Sequence, residues 1–115
     1  MSLVTRVEGA ATVASFENDR ILDELLIQSL GDELIGLSQD TDVNSVVLDF
    51  DKVEFMSSAM IGKLVLLNKK CGAANKPLRF CCINDNLMEV FKLTNLDKVF
   101  QIDPDVATSV GVIGG

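Results

Sequence analysis

Apolar residues in this chain recur with two different periods. Short runs rich in branched side chains at residues 3–7, 11–16, 45–50 and 78–83 have the length and composition of strands. The run Val46-Val47-Leu48 is apolar at consecutive positions, as in a strand buried on both faces. Glu8-Gly9-Ala10 between the first two runs predicts a hairpin turn. Longer stretches follow a helical period. In residues 24–38, Leu26, Leu30, Leu34 and Leu37 mark one face, with Asp32 and Glu33 on the other. Asp23 is placed to cap that helix. Gly31 suits close packing on a sheet, and Gly36 suggests fraying near the helix end.

A second helix is predicted over residues 58–71, with a stripe of Met60 or Ile61, Leu64, Leu67 and Cys71, widened by Val65. Lys63 and Lys70 fall on its solvent side, and Gly72 is its expected stop. Asn84-Asp85 opens a third helix over residues 86–93, with Leu87, Val90 and Phe91 inward. Residues 98–102 read as a last strand, and Pro104 as the first position of a short fourth helix. The order β-β-α-β-α-β-α-β implies right-handed crossovers and an α/β fold, with four or five mostly parallel strands backed by three or four helices. Val47, Leu48, Leu64, Phe80 and Phe91 are the expected core.

Length and composition narrow the function. One domain is expected over residues 1–115. No apolar run approaches a membrane span, so membrane insertion is not expected. The first residues lack a basic region followed by an apolar stretch, so no secretion signal is read and the expected location is cytoplasmic. A net charge of −7 opposes binding to nucleic acid. The cluster Lys63, Lys69 and Lys70 reads as a solvated face. There is no histidine, which removes the commonest general base, metal ligand and triad member. No Gly-x-Ser-x-Gly elbow and no phosphate-cradling glycine loop is present, so no enzyme activity and no cofactor are expected. Cys71, Cys81 and Cys82 are an odd set with two members adjacent, unlike a disulfide framework. Adjacent residues of a strand face opposite ways, so Cys81 and Cys82 are not expected to share a metal.

The chemistry converges on the segment after the core strand. The chain runs from Val46 through Asp49, crosses a loop, and places Ser57 and Ser58 at the start of a helix. Serine there caps the free N–H groups. The same helix end also tolerates an anion, including phosphate on serine. Both roles can coexist, one serine capping while the next faces out. Asp49, Asp51 and Glu54 nearby could ligate magnesium, but they read more simply as a loop brace, Asp49, and two solvated carboxylates. No metal site is expected.

Residues 47–62, Val-Leu-Asp-Phe-Asp-Lys-Val-Glu-Phe-Met-Ser-Ser-Ala-Met-Ile-Gly, resemble the signature of the STAS domain, the family of bacterial anti-anti-sigma factors. That signature is an aspartate-bearing strand, a loop, then Asp-Ser-Ser-Gly-Leu-Gly opening a helix. The resemblance covers about residues 4–102 in element order, with Val90, Phe91 and Leu96 in the family's apolar places. It implies an anti-sigma factor antagonist, which binds an anti-sigma factor that is also a serine/threonine kinase and so releases a sigma factor. The kinase switches it off by phosphorylation, and a serine phosphatase reverses this.

In this chain Ser58 falls on the phosphoacceptor, with Ser57 the alternative acceptor. Ser57 falls on the motif's aspartate, Ala59 on its second serine, Met60 on its first glycine and Gly62 on its second. Asp49 matches the strand aspartate, and Asp23 an aspartate after the second strand. The resemblance thus implies a partner-binding set of Asp23, Asp49, Ser57, Ser58, Ala59, Met60 and Gly62. Ser57 removes a charge found in the family motif, and Met60 adds bulk beside the acceptor serine. A second reading is a STAS scaffold that binds its partner without phosphorylation, as in domains attached to transporters or lipid-export assemblies.

Overall fold

Alternating apolar positions give the sheet two buried faces, each of which needs its own helical cover. The computed structural model describes residues 3–114. Among these, β1 (Leu3–Glu8), β2 (Ala11–Phe16), β4 (Val46–Asp49), β6 (Leu78–Cys81) and β7 (Ile102–Asp103) form a five-stranded sheet in the order β1-β2-β4-β6-β7. The β1–β2 pair is an antiparallel hairpin, closed by Gly9 with φ 59°, and every other pair is parallel. Two further short strands, β3 (Arg20–Ile21) and β5 (Phe55–Met56), pair in parallel outside this sheet.

One sheet face carries Ala14, Phe16, Val46, Leu48, Leu78 and Phe80. It is covered by α1 (Glu24–Gln39), α2 (Ser58–Ala73) and α3 (Asp85–Leu93), through Leu30, Leu34, Leu64, Leu67, Leu87 and Phe91. Leu30, Leu34, Leu64 and Leu67 are fully buried, each contributing about 1.5–3 kcal/mol relative to an exposed position. A row of phenylalanines crosses this layer. Phe16, Phe50, Phe80, Phe100 and Phe91 meet in succession with ring centroids 4.4–5.4 Å apart. The opposite face carries Ala11, Val13, Val47 and Cys81 beneath α4 (Val106–Gly114), which contributes Val106, Val110 and Ile113.

The predicted core is buried throughout, but several boundaries move. The second helix runs through Gly72 to Ala73. It ends because Asn75 takes φ 57°, with Lys76 N–H bonded to Cys71 O at 2.8 Å and Asn75 N–H to Gly72 O at 3.2 Å. Residues 98–102 are not one strand. Asn95, with φ 61°, opens a single 3-10 turn at Leu96–Lys98, Val99 is exposed, and pairing begins only at Ile102. Pro104 precedes the last helix, whose first-turn Thr108 N–H bonds to Asp105 Oδ1 at 2.8 Å. Val90 is 37% exposed and does not join Leu87 and Phe91 in the core. Gly31 packs against α2: a Cβ there would stand 2.9 Å from Cδ of Lys63, so Lys63 lies half-buried across α1. Gly36 stays helical, its carbonyl accepting from Asp40 N–H.

Candidate functional site

The small β3–β5 pair decides where the two long helices begin. Its ladder sets Ile21 beside Met56, and the next backbone bond, Ser57 N–H to Ile21 O at 3.0 Å, locks the chain at the entrance to α2. Asp23 lies two residues beyond Ile21 and caps α1, its Oδ2 accepting from Leu26 N–H at 3.0 Å. The N-termini of α1 and α2 are thereby fixed side by side, with their free N–H groups at one end of the helical layer.

At the second of these ends the two serines divide the work. Ser57 is the N-cap, in extended conformation, and its Oγ accepts from Met60 N–H at 3.3 Å. Where the STAS signature has aspartate, a hydroxyl caps the helix in this chain. Ser58 occupies the first helical position and is exposed, as is Ala59. Gly62 is exposed, and a Cβ added there would meet nothing within 4 Å, so no packing at this site demands glycine. Met60 is fully buried in the core. Its side chain therefore adds no bulk beside Ser58 and offers nothing to a partner, which removes it from the expected contact set.

Asp49 ends β4 and is half-buried. Its Oδ1 accepts from Asp51 N–H at 3.0 Å and its Oδ2 from Ser15 Oγ at 3.2 Å; Ser15 also accepts from Arg6 at 3.2 Å. Asp49 thus braces the start of the loop, while Asp51 and Glu54 are exposed. Asn84 holds the loop's far side: its amide donates to Val53 O at 3.1 Å and Glu54 O at 3.2 Å, and its Oδ1 caps α3 through Leu87 N–H at 2.8 Å.

Between β3, β5 and α3 runs a groove lined by Arg20, Leu22, Phe55, Met56, Leu87 and Val90. Phe55 is 42% exposed beneath the Arg20 guanidinium, 4.9 Å from the ring centroid, and Leu22 and Leu25 are also exposed. Sequence periodicity missed this apolar surface because Leu22 and Phe55 lie in breaks between the long elements. The signal in the sequence was the apolar pair Phe55-Met56 just before the second helix.

A family model for the STAS domain matches residues 6–109. The chain belongs to the STAS domain family. Its structure is similar to an anti-sigma-factor antagonist STAS protein from Planctomyces limnophilus, with a TM-score of 0.85 at 20% identity and 98% of each chain covered. An anti-sigma factor antagonist from Mycobacterium paratuberculosis also gives 0.85, at 18% identity, covering 98% of this chain and 93% of that one. The Bacillus cell fate determinant SpoIIAA in its phosphorylated form gives 0.73 at 12% identity, with 96% and 98% covered. These likenesses establish the STAS fold. No described helix is long and apolar enough to cross a membrane.

Proposed function

We propose that this STAS domain is a cytoplasmic anti-sigma factor antagonist that binds an anti-sigma serine/threonine kinase and is released from it by phosphorylation of Ser58. The observation that carries the reading is the division between the serines: Ser57 already satisfies the cap, leaving the exposed Ser58 hydroxyl uncommitted to the fold. The domain itself is a binding protein; the partner kinase supplies the catalysis, and a serine phosphatase reverses it. Asp23, Asp49, Ser57, Ser58, Ala59 and Gly62 form or support the contact end, with Leu22 and Phe55 adding the apolar area that binding surfaces concentrate.

A phosphate on Ser58 adds a charge of about −1.5 to −2 at a helix N-terminus, where free N–H groups and the helix dipole favour it. The fold therefore persists. The partner meets a dianion on a chain of net charge −7, and desolvating that dianion without a matched cation is costly. Release follows from charge and lost hydration, without a large conformational change.

The test is a mass-spectrometric phosphosite map of protein from its native cell, with binding of variants to the cognate kinase. Phosphate should map to Ser58, persist in Ser57→Ala and vanish in Ser58→Ala. Ser58→Asp should weaken kinase binding, with stability within about 1 kcal/mol of wild type. Label surviving in Ser58→Ala but lost in Ser57→Ala would move the acceptor to Ser57. No phosphate on either serine, with normal binding by Ser58→Asp, would replace the switch with a constitutive scaffold.

A further inference from the structure

Strand alternation sends Cys81 and Cys82 to opposite faces, yet the two thiols lie on the same side. Cys81 ends β6 pointing into the α4 layer, in register with Asp49 on β4. Cys82 then takes φ 62°, a left-handed conformation unfavourable for a residue with a Cβ. This turn brings its side chain back toward the layer that holds Cys81. As a result Asp49, Cys81 and Cys82 each present a ligand atom, all within 4.8 Å of one another.

The three groups differ in access. Cys81 is buried, whereas Asp49 and Cys82 are half-buried and give the cluster an opening. Burial pushes both thiols up from the ordinary cysteine value, and the neighbouring thiol or carboxylate adds to the shift. A cation reverses the balance: it draws off the thiol protons and supplies the countercharge that the three groups lack. The basic chains around it are engaged elsewhere, Arg6 with Glu8 and Ser15, Lys52 with Glu17 and Arg79 with Asp103.

The ligand set selects the cation. Two thiolates and one carboxylate suit a borderline-soft divalent ion, against the all-oxygen shell that magnesium or calcium requires. Bonds of about 2.3 Å to sulfur place two thiolates about 3.8 Å apart on a tetrahedral zinc, so the groups need only a small contraction. Three protein ligands leave a fourth position for water. Asp49 keeps its bonds from Ser15 and Asp51, which orient the carboxylate from outside the cluster.

We propose that Asp49, Cys81 and Cys82 form a binding site for zinc or a similar thiophilic divalent cation at the C-terminal ends of β4 and β6. Binding deprotonates both thiols, releasing two protons to solvent for each ion bound. The site sits at the root of the loop that leads to Ser57. Asp49 begins that loop, and Cys82 lies two residues before Asn84, which holds the carbonyls of Val53 and Glu54. Metal binding there does not depend on whether Ser58 is phosphorylated.

The experiment is equilibrium dialysis of reduced, chelator-stripped protein against Zn2+, with bound metal measured directly and Cys82 alkylation followed in parallel. One zinc per chain is expected, together with protection of Cys82 from alkylation and a rise in melting temperature. Cys82→Ser and Asp49→Asn should each weaken binding at least about tenfold. Circular dichroism in the absence of metal identifies any variant that has lost its fold, and Cys82→Ser, at a half-buried position, is the primary test. Cys71→Ala, in the α2 stripe, should bind as wild type. Absence of stoichiometric zinc at micromolar metal, wild-type affinity in folded Cys82→Ser, or loss of the bound metal in folded Cys71→Ala would overturn the proposal.

Discussion

Replacing Asp103 by asparagine tests what attaches the last helix to the sheet. Asp103 is buried on β7 and receives a two-pronged contact from Arg79 on β6, Nε to Oδ2 at 2.6 Å and Nη2 to Oδ1 at 3.0 Å. Ser109 of α4 donates its hydroxyl to the same Oδ2 at 2.6 Å. The variant keeps the shape of the side chain but removes its charge and turns one acceptor into a donor. Stranding one member of a buried ion pair costs about 3–5 kcal/mol. Arg79 keeps 19% of its side-chain exposure, so water recovers part of that loss and about 2–3 kcal/mol is expected. At roughly 4 °C per kcal/mol for a domain of this size, the melting temperature should fall by about 8–12 °C.

The pH dependence gives the second half of the test. The hydrogen bond from Arg79 holds the Asp103 carboxyl below its usual range against the opposing effect of burial, with Ser109 helping. The native state therefore binds the proton less readily than the unfolded chain. The stabilisation is complete above the ordinary carboxyl value of 3.8 and is lost as pH falls through the lower folded value. Urea unfolding of both proteins at pH 7, 5, 3 and 2 should show a gap that is constant down to about pH 5 and closes on acidification. A gap below about 1 kcal/mol at neutral pH, or one that does not change with pH, would refute the reasoning.

Two further changes probe other parts of the fold. Leu64→Ala, at a fully buried position facing the sheet, should cost about 2–5 kcal/mol in chemical denaturation, and a smaller loss would mean that the layer closes over the cavity. Asn84→Ala removes a helix cap and two loop contacts together, so about 1–3 kcal/mol is expected, with faster amide exchange in residues 50–56; unchanged exchange would show that Asn84 does not brace the loop.

The long elements were legible because their side-chain periods are strong. The leucines of α1, the branched run of β4 and the capping residues Asp23 and Asn84 each stand where the pattern puts them. What escaped is controlled by single backbone angles or by very short pairings. Asn75 and Asn95 have positive φ where asparagine is tolerated, so a break there was legible but its exact form was not, whereas the positive φ of Cys82 has no signal in the sequence. The two-residue strands β3 and β5 are too short to show a period, although they bring the helix starts together. At the site, the serine pair was visible, but its division into cap and exposed hydroxyl required the geometry. Met60 is buried because it lies on the inner stripe of α2, one of the two positions its spacing offered, and so does not stand beside Ser58 as its alignment with a motif glycine implies.

The two-sided sheet also bears on the order in which the chain matures. Val13, Val47 and Cys81 precede their cover, α4, which is the last element in chain order. At ordinary synthesis speeds of about 5–20 residues per second, the α1–α3 layer can assemble on the growing chain while the other sheet face waits on the order of seconds for its lid. During that interval an apolar strip is open to chaperones or to another nascent chain. The Arg79–Asp103 pair lies between β6 and β7, and the latch is completed only when Ser109 of the last helix arrives. Weakening that latch would lengthen the vulnerable interval, so yield during expression can fall even where the purified protein still folds.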